Sequence, residues 1–285
     1  MTRQVLVVTH ESREEAVVAG EEACQALKVA GLEPITDMAQ ASPGALELAM
    51  VLGGDGTILR AVEITHGTGV PVLGVNLGHV GFLAESERDD IAEAVRRVAA
   101  RDYTVEERTT LAVQALRPGA SEPERSWALN EATLEKSERQ RMLEVVVEVD
   151  GRPLSSFGCD GIVMSTPTGS TAHAFSAGGP VVWPEVDAIL VVPISAHALF
   201  ARPLVVGPRS VVAVEVVRWS TTPGLLTCDG RRTVELPVGS RIEVRRGTTP
   251  VRLARLSQAP FTDRLVSKFE LRVTGWRGQP SPRGG

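Results

Sequence analysis

Apolar and polar positions alternate in two different ways along this chain. In the first hundred residues, short apolar runs typical of buried strands are separated by segments whose apolar residues recur at helical spacing. The strands are predicted at residues 4–9, 49–52 and 70–75, and the helices at residues 13–30, 58–66 and 88–100. Strands and helices that alternate in this way indicate a parallel sheet with helices on its faces.

After about residue 102 the helical spacing gives way to short strands. Residues 143–149 alternate between apolar and polar, and Asp150-Gly151, directly after them, is a strong signal for a two-residue hairpin. Further strands are predicted at residues 211–218 and 241–245, and further turns at Asp229-Gly230 and Val238-Gly239. The proline-containing stretch 118–125 is predicted to be a hairpin loop rather than a linker. The strands of this part of the chain are therefore predicted to form an antiparallel β domain.

The change of pattern places a domain boundary near residues 101–108. We predict an α/β + β fold, with an N-terminal Rossmann-like α/β domain over residues 1–103 and a C-terminal antiparallel β-rich domain, a β-sandwich, over residues 104–259. Residues 260–285 form a tail, and its last ten residues, 276–285, are rich in Gly, Pro and Arg and are predicted to be disordered.

Composition excludes several classes of function. The chain has 285 residues, with 30 Lys and Arg against 35 Asp and Glu, which gives a net charge of −5 and argues against a nucleic-acid-binding protein. Its three cysteines, Cys24, Cys159 and Cys228, have no disulfide or metal-ligand spacing, so we expect a reducing cytoplasm. The N-terminal apolar run is too short for a signal peptide, and no apolar stretch reaches the roughly 18 residues of a membrane span.

The candidate chemistry begins where the apolar run 49–52 ends in Gly53-Gly54-Asp55-Gly56-Thr57 and leads into a helix. Glycines bring backbone N–H groups close to a phosphate, and the positive end of a helix dipole adds attraction. A carboxylate in such a loop repels phosphate, and a local conflict of this kind is typical of a functional residue. We interpret Asp55 as a catalytic base or metal-contacting group in phosphoryl transfer. The alternative is a tight turn in which Asp55 caps the helix.

Four further segments carry candidate binding residues. They are the glycine-containing loop of residues 76–83, the polar pair Asn130-Glu131, the hydroxyl-rich turn of residues 160–173, and Pro193 to His197. Ligands of open α/β sheets bind at the carboxyl ends of the strands, so the loops at 53–57 and 76–83 are expected to line one crevice. An amide beside a carboxylate can hold two ribose hydroxyls, although a surface strand is the alternative for Asn130-Glu131. His197 is as consistent with a structural hydrogen bond as with a ligand contact.

Taken together, these motifs resemble the bacterial NAD kinases. The resemblance is carried by Gly53-Gly54-Asp55-Gly56-Thr57, Asn130-Glu131, Asp160-Gly161, residues 166–172 and Cys228-Asp229-Gly230, in order and in rough spacing. It extends over nearly the whole chain, and details such as residues 127–131 are similar to the actinobacterial branch. The resemblance implies two domains, of which the β-rich one binds the dinucleotide and forms much of an oligomer contact, while the tail after about residue 260 returns to the first domain.

The resemblance also implies roles for individual residues. Asp55 is the expected catalytic base, with Gly56 as its phosphate-loop partner. Asn130 and Glu131 are expected to hold the nicotinamide-bearing or the adenine-bearing part of NAD, and Asp160 a ribose or ring group. The remaining expected substrate contacts are Thr171, Ala172 and Ser176 on the adenosine side, Arg60 and Arg141 at phosphates, and His173. The family usually has tyrosine at the position of His173.

The implied activity is transfer of a phosphoryl group to the 2′-hydroxyl of the adenosine ribose of NAD, giving NADP, with ATP or inorganic polyphosphate as the donor. Mg²⁺ is expected to arrive largely with the donor. We expect a homodimer or homotetramer, with no nucleic-acid or membrane partner. Two alternatives stay open. A lipid kinase shares the Gly-Gly-Asp-Gly-Thr loop but tends to carry a later Gly-Thr-Gly-Asn-Asp run that is absent here, and a non-catalytic dinucleotide sensor has no need of Asp55.

Overall fold

The structure is a computed structural model that describes residues 2–10, 12–77, 81–84, 86–87, 91–257 and 259–273. Three predictions lie partly or wholly outside these residues: a ligand loop that includes residues 78–80, a helix that begins at residue 88, and a disordered segment at 276–285. Among the described residues, no helix has the length and apolar composition needed to cross a membrane.

The secondary structure alternates first between strands and helices and then consists mostly of strands. The helices are α1 (Glu14–Val29), α2 (Asp55–Thr65), α3 (Ile91–Ala100), α4 (His173–Ser176) and α5 (Phe261–Phe269). The strands are β1 (Gln4–Thr9), β2 (Glu33–Ile35), β3 (Leu46–Leu52), β4 (Val72–Asn76), β5 (Ser86–Glu87), β6 (Thr104–Arg108), β7 (Leu111–Leu116), β8 (Glu124–Ala128), β9 (Glu131–Lys136), β10 (Leu143–Val149), β11 (Arg152–Cys159), β12 (Gly161–Ser165), β13 (Ile189–Ile194), β14 (Leu204–Val206), β15 (Val212–Val216), β16 (Gly224–Cys228), β17 (Arg232–Leu236), β18 (Arg241–Arg246) and β19 (Val251–Arg255).

The chain divides into two compact units. The first unit comprises residues 1–106 and 252–285, and the second comprises residues 107–251. The sequence placed the corresponding boundaries at residues 103 and 259. The difference at the second boundary has a structural cause, because β19 pairs with β4 in the sheet of the first unit rather than with a strand of the second.

The first unit is built on a seven-stranded sheet. Its order is β2-β1-β3-β4-β19-β6, with β5 also paired to β4, and the pairs β1–β2, β1–β3, β3–β4 and β4–β19 are parallel. The strands β3 and β4 are almost entirely buried, as expected for a parallel sheet with helices on its faces. The predicted α/β architecture of this unit is confirmed. Helix α2 begins at Asp55, three residues before the predicted start, because Gly54 already accepts hydrogen bonds from the N–H groups of Thr57 and Ile58.

The second unit is a β-sandwich. One six-stranded sheet has the order β11-β10-β15-β18-β7-β8 and the other has the order β14-β13-β12-β9-β16-β17, and their neighbouring strands are antiparallel. Buried residues of both sheets form one hydrophobic core, which includes Val145 and Val214 from the first and Leu134 and Met164 from the second. Asp150-Gly151 forms the predicted hairpin turn between β10 and β11, and the loop predicted at residues 118–125 lies between β7 and β8, although its last two residues, Glu124 and Arg125, already belong to β8. The prediction of a β-rich sandwich is confirmed.

Candidate active site

The glycine-rich loop joins the buried strand β3 to helix α2. Gly53 has a φ of +151°, which side chains rarely adopt, and a Cβ there would lie 2.6 Å from Oγ1 of Thr57. Its N–H donates to the carbonyl of Val75, which ties the loop to the end of β4. Asp55 then occupies the first turn of α2, where the helix dipole favours a negative charge. The position of Asp55 is thus fixed by the backbone on both sides.

The carboxylate of Asp55 is held by a second glycine-containing loop. Its Oδ2 accepts the N–H of Phe82 at 3.1 Å and its Oδ1 accepts the N–H of Leu83 at 3.2 Å. Gly81 lies so close that a Cβ there would be 2.4 Å from Oδ1 of Asp55. The two loops that the sequence placed in one crevice therefore meet at this carboxylate. The two N–H donors stabilise the negative charge of Asp55, which the sequence alone placed unfavourably in a phosphate-binding loop.

The other two predicted residues of this unit differ in their surroundings. A Cβ at Gly56 would meet no atom within 4 Å, so the backbone of the loop is open at this point. Arg60 follows Asp55 by five residues on α2, which turns its side chain about 140° around the helix axis from that of Asp55. It lines a cleft of about 630 Å³ together with Val17, Glu21 and Asp37.

In the second unit, Asn130 and Glu131 lie buried at the start of β9. Glu131 is 8% exposed, and its Oε2 has no hydrogen-bond partner within the described part of the chain. Burial and the nearby charge of Asp229 together raise the pKa of Glu131 to about 8, although a hydrogen bond from the backbone N–H of His173 acts to lower it. A buried carboxyl oxygen without a partner is costly, so its presence indicates a place where a ligand donates or accepts a hydrogen bond.

Asp229 supports the start of β9, although the sequence analysis placed it only in a turn and in the family motif Cys228-Asp229-Gly230 and predicted no role for its side chain. Its two carboxylate oxygens accept the backbone N–H groups of Leu129 at 2.9 Å and Asn130 at 2.7 Å, and Arg232 donates to it at 3.0 Å. Burial raises its pKa, although these three donors act to lower it. Arg232 in turn stacks 4.5 Å from the ring centroid of Trp127. Asp229 therefore fixes the backbone that carries Asn130 and Glu131. Nothing in its own neighbourhood of the sequence signals a contact with residues one hundred positions earlier.

The first part of the hydroxyl-rich turn, up to Ser170, has a structural role. The hydroxyls of Ser165 and Thr166 donate to the carbonyls of Asn130 and Leu129 at 3.0 and 2.6 Å, and that of Ser170 donates to the carbonyl of Val182. These three side chains are fully buried, so their hydroxyls hold the turn in place.

The predicted ligand residues follow that buried part of the turn. Thr171, Ala172 and His173 are half-buried and Ser176 is exposed. His173 begins α4, and its Nδ1 lies 3.4 Å from the Thr133 hydroxyl on β9. The backbone N–H of His173 also donates to Glu131, so the structure brings His173 next to this carboxyl, and Thr171 and Ala172 directly precede His173 in the chain.

Asp160 and Arg141 lie at the other end of β9. Asp160 pairs with Lys136 at 2.5 Å, and this ammonium, with Ser195 and His197, holds the pKa of Asp160 below its usual range. Lys136 is the last residue of β9 and Glu131 the first, so the two groups are about 17 Å apart at the usual rise of a strand. Arg141 is on an exposed turn beyond Lys136, 3.8 Å from Glu138. Within one chain, the predicted binding residues of the second unit therefore form two clusters, one at each end of β9.

The buried carboxyl of Glu131 leads to a prediction for stability. Its pKa rises from about 4.5 in the unfolded chain to about 8 in the folded protein, so the folded state holds an extra proton between these values. The free energy of unfolding therefore falls as pH rises through this window, by at most about 5 kcal/mol. Glu131→Gln removes this dependence, and we expect its melting temperature to exceed that of the wild type increasingly between about pH 5 and about pH 8.

The control for this experiment is Glu135→Gln, a half-buried position on the same strand. Thermal unfolding of the three proteins across the pH range checks the assignment. A difference in melting temperature between wild type and Glu131→Gln that is the same at every pH would contradict the raised pKa of Glu131.

Comparison with known proteins places the two units in one family. Residues 5–103 match the family model of the ATP-NAD kinase N-terminal domain, and residues 129–256 match that of the ATP-NAD kinase C-terminal domain. The chain belongs to the NAD kinase family. The N-terminal match ends at the residue where the sequence placed its first boundary, and the C-terminal match includes β19, which lies in the sheet of the first unit.

Individual members of the NAD kinase family are similar over most of the chain. An NAD kinase of Leifsonia xyli is 57% identical over 97% of this chain and 97% of its own, and one of Thermobifida fusca is 64% identical over 88% of this chain and 78% of its own. These matches confirm the actinobacterial resemblance and decide against a lipid kinase.

Two solved structures share the fold. A yeast NADH kinase complexed with NADH has a TM-score of 0.84 at 22% identity, covering 96% of this chain and 90% of its own. An NAD kinase from Archaeoglobus fulgidus in complex with ATP has a TM-score of 0.74 at 24% identity, covering 95% of this chain and 100% of its own. At these identities the likeness concerns the fold, and both units take part in it.

Proposed function

We propose that the chain transfers the terminal phosphoryl group of ATP to the 2′-hydroxyl of the adenosine ribose of NAD, giving NADP. The observation that carries this proposal is the Asp55 carboxylate, which two backbone N–H groups hold in a glycine-rich loop of an NAD kinase family chain. Protein groups have little covalent work in phosphoryl transfer beyond positioning and charge stabilisation. A fixed carboxylate at a phosphate-binding loop supplies what such a reaction needs from a side chain.

Asp55 accepts the proton of the attacking 2′-hydroxyl in this proposal. Each of its oxygens accepts one N–H and retains a lone pair for a second contact. The open backbone at Gly56 and the N-terminal N–H groups of α2 bind phosphate oxygens, as helix N-termini do. As the hydroxyl oxygen forms its bond to phosphorus, its proton passes to Asp55 and the bond from phosphorus to the leaving oxygen breaks.

Asn130, Glu131 and the turn that follows β12 bind NAD in this proposal. Below about pH 8 the Glu131 carboxyl is protonated, so it can both donate and accept a hydrogen bond at a ribose or ring group. The backbone N–H of His173 donates to this carboxyl, Thr171 and Ala172 precede His173 and are half-buried, and Ser176 is exposed at the end of α4. Arg60 and Arg141 are proposed phosphate contacts.

Mg²⁺ is the proposed metal, bound mainly by oxygens of the phosphate donor and by water. Within the described residues, no group of three or more His, Cys, Asp or Glu side chains could form a metal site. Mg²⁺ usually keeps several waters and takes one or two carboxylates in addition to substrate phosphates. Asp55 is the carboxylate of this chain at the phosphate loop. When bound, the metal neutralises charge on the transferring phosphoryl group.

We propose a homo-oligomer as the working form. Several large apolar side chains of the second unit are exposed, among them Trp183, Phe200 and Val205. Large aromatic side chains such as Trp183 and Phe200 are enriched in contacts between chains. The separation of Asp160 from Glu131 along β9 supports the same proposal, since a second copy provides a way for both clusters to serve one dinucleotide. The free cysteines Cys24, Cys159 and Cys228 are in keeping with a cytoplasmic location.

The experiment that tests the function is NADP formation from NAD by the purified chain, with Mg²⁺-ATP and with polyphosphate in parallel. We expect NADP with ATP, and the polyphosphate reaction decides whether that donor is also used. An absence of NADP with both donors would contradict the proposed function.

Asn130→Ala and Glu131→Ala should weaken the binding of NAD. Each change leaves a partner group of the ligand unpaired, which costs about 1–3 kcal/mol or roughly a fivefold to 150-fold rise in Kd. Calorimetric titration with NAD measures this rise, and Asn130→Asp serves as a control that keeps the shape of the side chain. An unchanged Kd in both alanine variants would contradict the contact.

A further inference from the structure

The backbone groups that hold Asp55 are themselves held by two arginines from the other end of the chain. Arg255 is the last residue of β19 and Arg264 lies on α5. Arg264 donates through Nη1 to the carbonyl of Phe82 at 3.3 Å, and Arg255 donates through Nη1 to the carbonyl of Leu83 at 3.2 Å. All the residues involved belong to the first unit.

The peptide group between Phe82 and Leu83 connects Arg264 directly to Asp55. Its carbonyl oxygen accepts the hydrogen bond from Arg264, and its N–H donates to Oδ1 of Asp55. A guanidinium on the carbonyl polarises the amide, which strengthens the hydrogen bond that the same amide donates. The charge and the orientation of Arg264 are therefore transmitted to the carboxylate through one rigid planar group.

Arg255 and the ring of Phe82 fix the same loop from other directions. The Nε of Arg255 pairs with Glu106 at 2.7 Å, and its side chain is 5% exposed, so its guanidinium has little freedom to move. Phe82 packs between Phe261 and Phe269 of α5, with ring centroids 6.0 and 5.8 Å away. The loop that meets Asp55 thus rests on β19 and α5 by both polar and apolar contacts.

We infer that Arg264 and Arg255 are positioning residues for the reaction, which set the geometry of Asp55 through the backbone of Phe82 and Leu83. The inference rests on the proposed function, in which Asp55 accepts the proton of the substrate hydroxyl. It assigns a role to the C-terminal return of the chain, for which the sequence predicted no substrate contact. A displacement of about 1 Å in a reacting group can lower the rate about 10²-fold, so a loop held in this way is sufficient to affect turnover.

The test compares Arg264→Gln, Arg264→Lys and the control Lys268→Gln, which removes an exposed positive charge from the same helix. We expect Arg264→Gln to lower kcat about tenfold to a hundredfold with KM for NAD changed by less than about twofold. Arg264→Lys restores part of kcat because it keeps a cationic donor, and Lys268→Gln retains wild-type kcat. Equal losses in Arg264→Gln and Lys268→Gln, or a loss that appears only in KM, would overturn the inference.

A double-mutant cycle separates positioning of Asp55 from a general structural role. If Arg264 acts through Asp55, then Arg264→Gln should cause little further loss in an Asp55→Asn background. Multiplied losses in the double variant would overturn the inference while leaving the role of Asp55 intact. If Asp55→Asn itself retained wild-type kcat, the proposed catalytic base would fail instead, so the two failures are distinguishable.

Arg255 is tested in parallel by Arg255→Lys and Arg255→Met, with Arg252→Met as the control on the same strand. Arg255 is buried, so a loss of folding is possible, and circular dichroism and melting temperature are measured for each variant. A lower kcat in folded Arg255→Lys supports the inference, and wild-type kcat in that folded variant overturns the part that concerns Arg255. If both Arg255 variants unfold, Glu106→Gln replaces them: a lower kcat supports that part, and wild-type kcat overturns it.

Discussion

Asp55→Asn is expected to lower kcat about 10²- to 10⁴-fold, the usual contribution of a general base. The change keeps the size and shape of the side chain but removes its basicity. It also places an amide NH₂ opposite one of the two N–H groups, of Phe82 and Leu83, that now donate to the carboxylate. NAD affinity should stay close to that of the wild type, because Asn130 and Glu131 are unchanged.

Steady-state kinetics and calorimetric titration with NAD together check this result. A variant that kept more than about a third of the wild-type kcat would show that Asp55 is not the base. A loss of less than about threefold is far smaller than the usual contribution of a general base. A large rise in Kd with an unchanged kcat would instead assign Asp55 to substrate binding.

Gly81→Ala should lower kcat by roughly 10²-fold, the second largest effect that we predict. A Cβ at this position would lie 2.4 Å from Oδ1 and 3.0 Å from Cγ of Asp55, so either the carboxylate or the loop must move. The displacement breaks the alignment of Asp55 with the two N–H groups while leaving its chemistry intact. We therefore expect a loss in kcat with little change in the KM for NAD.

Gly207→Ala is the matched control, because a Cβ there meets no atom within 4 Å. Melting temperatures of both variants separate a local displacement from unfolding. Wild-type turnover in folded Gly81→Ala would mean that the geometry of the carboxylate does not limit the reaction.

The pattern of the sequence was sufficient for the fold class of both units, and for several individual elements, because its signals are local. The helix from Glu14 to Val29 differs by one residue at each end from its prediction, and the strand from Leu143 to Val149 matches it. Asp150 and Gly151 both have positive φ values, 54° and 73°, as the hairpin signal requires. Side-chain periodicity and turn chemistry depend on near neighbours, so they can be read without tertiary structure.

The support of the site could not be predicted in the same way, since it depends on contacts between distant residues. Asp229 holds the backbone of Asn130 from ninety-nine positions away, and Arg255 holds that of Leu83 from 172 positions away. The hydroxyl-rich turn gives a second example. Its composition indicated ligand binding, but the hydroxyls of Ser165 and Thr166 bond to backbone carbonyls. Residue type alone does not distinguish a hydroxyl that binds a ligand from one that stabilises a turn.

The most direct test of the central claim is to determine which hydroxyl group of the product carries the new phosphate. The purified chain is incubated with Mg²⁺-ATP and NAD, the nucleotides are separated, and phosphorus NMR locates the new phosphate. A parallel reaction replaces NAD with an analogue that lacks the 2′-hydroxyl of the adenosine ribose. We predict one NADP with a 2′-phosphate for each ADP formed, no phosphorylated product from the deoxy substrate, and loss of product formation in Asp55→Asn. ADP formation without NADP, or a phosphate on another hydroxyl, would contradict the account.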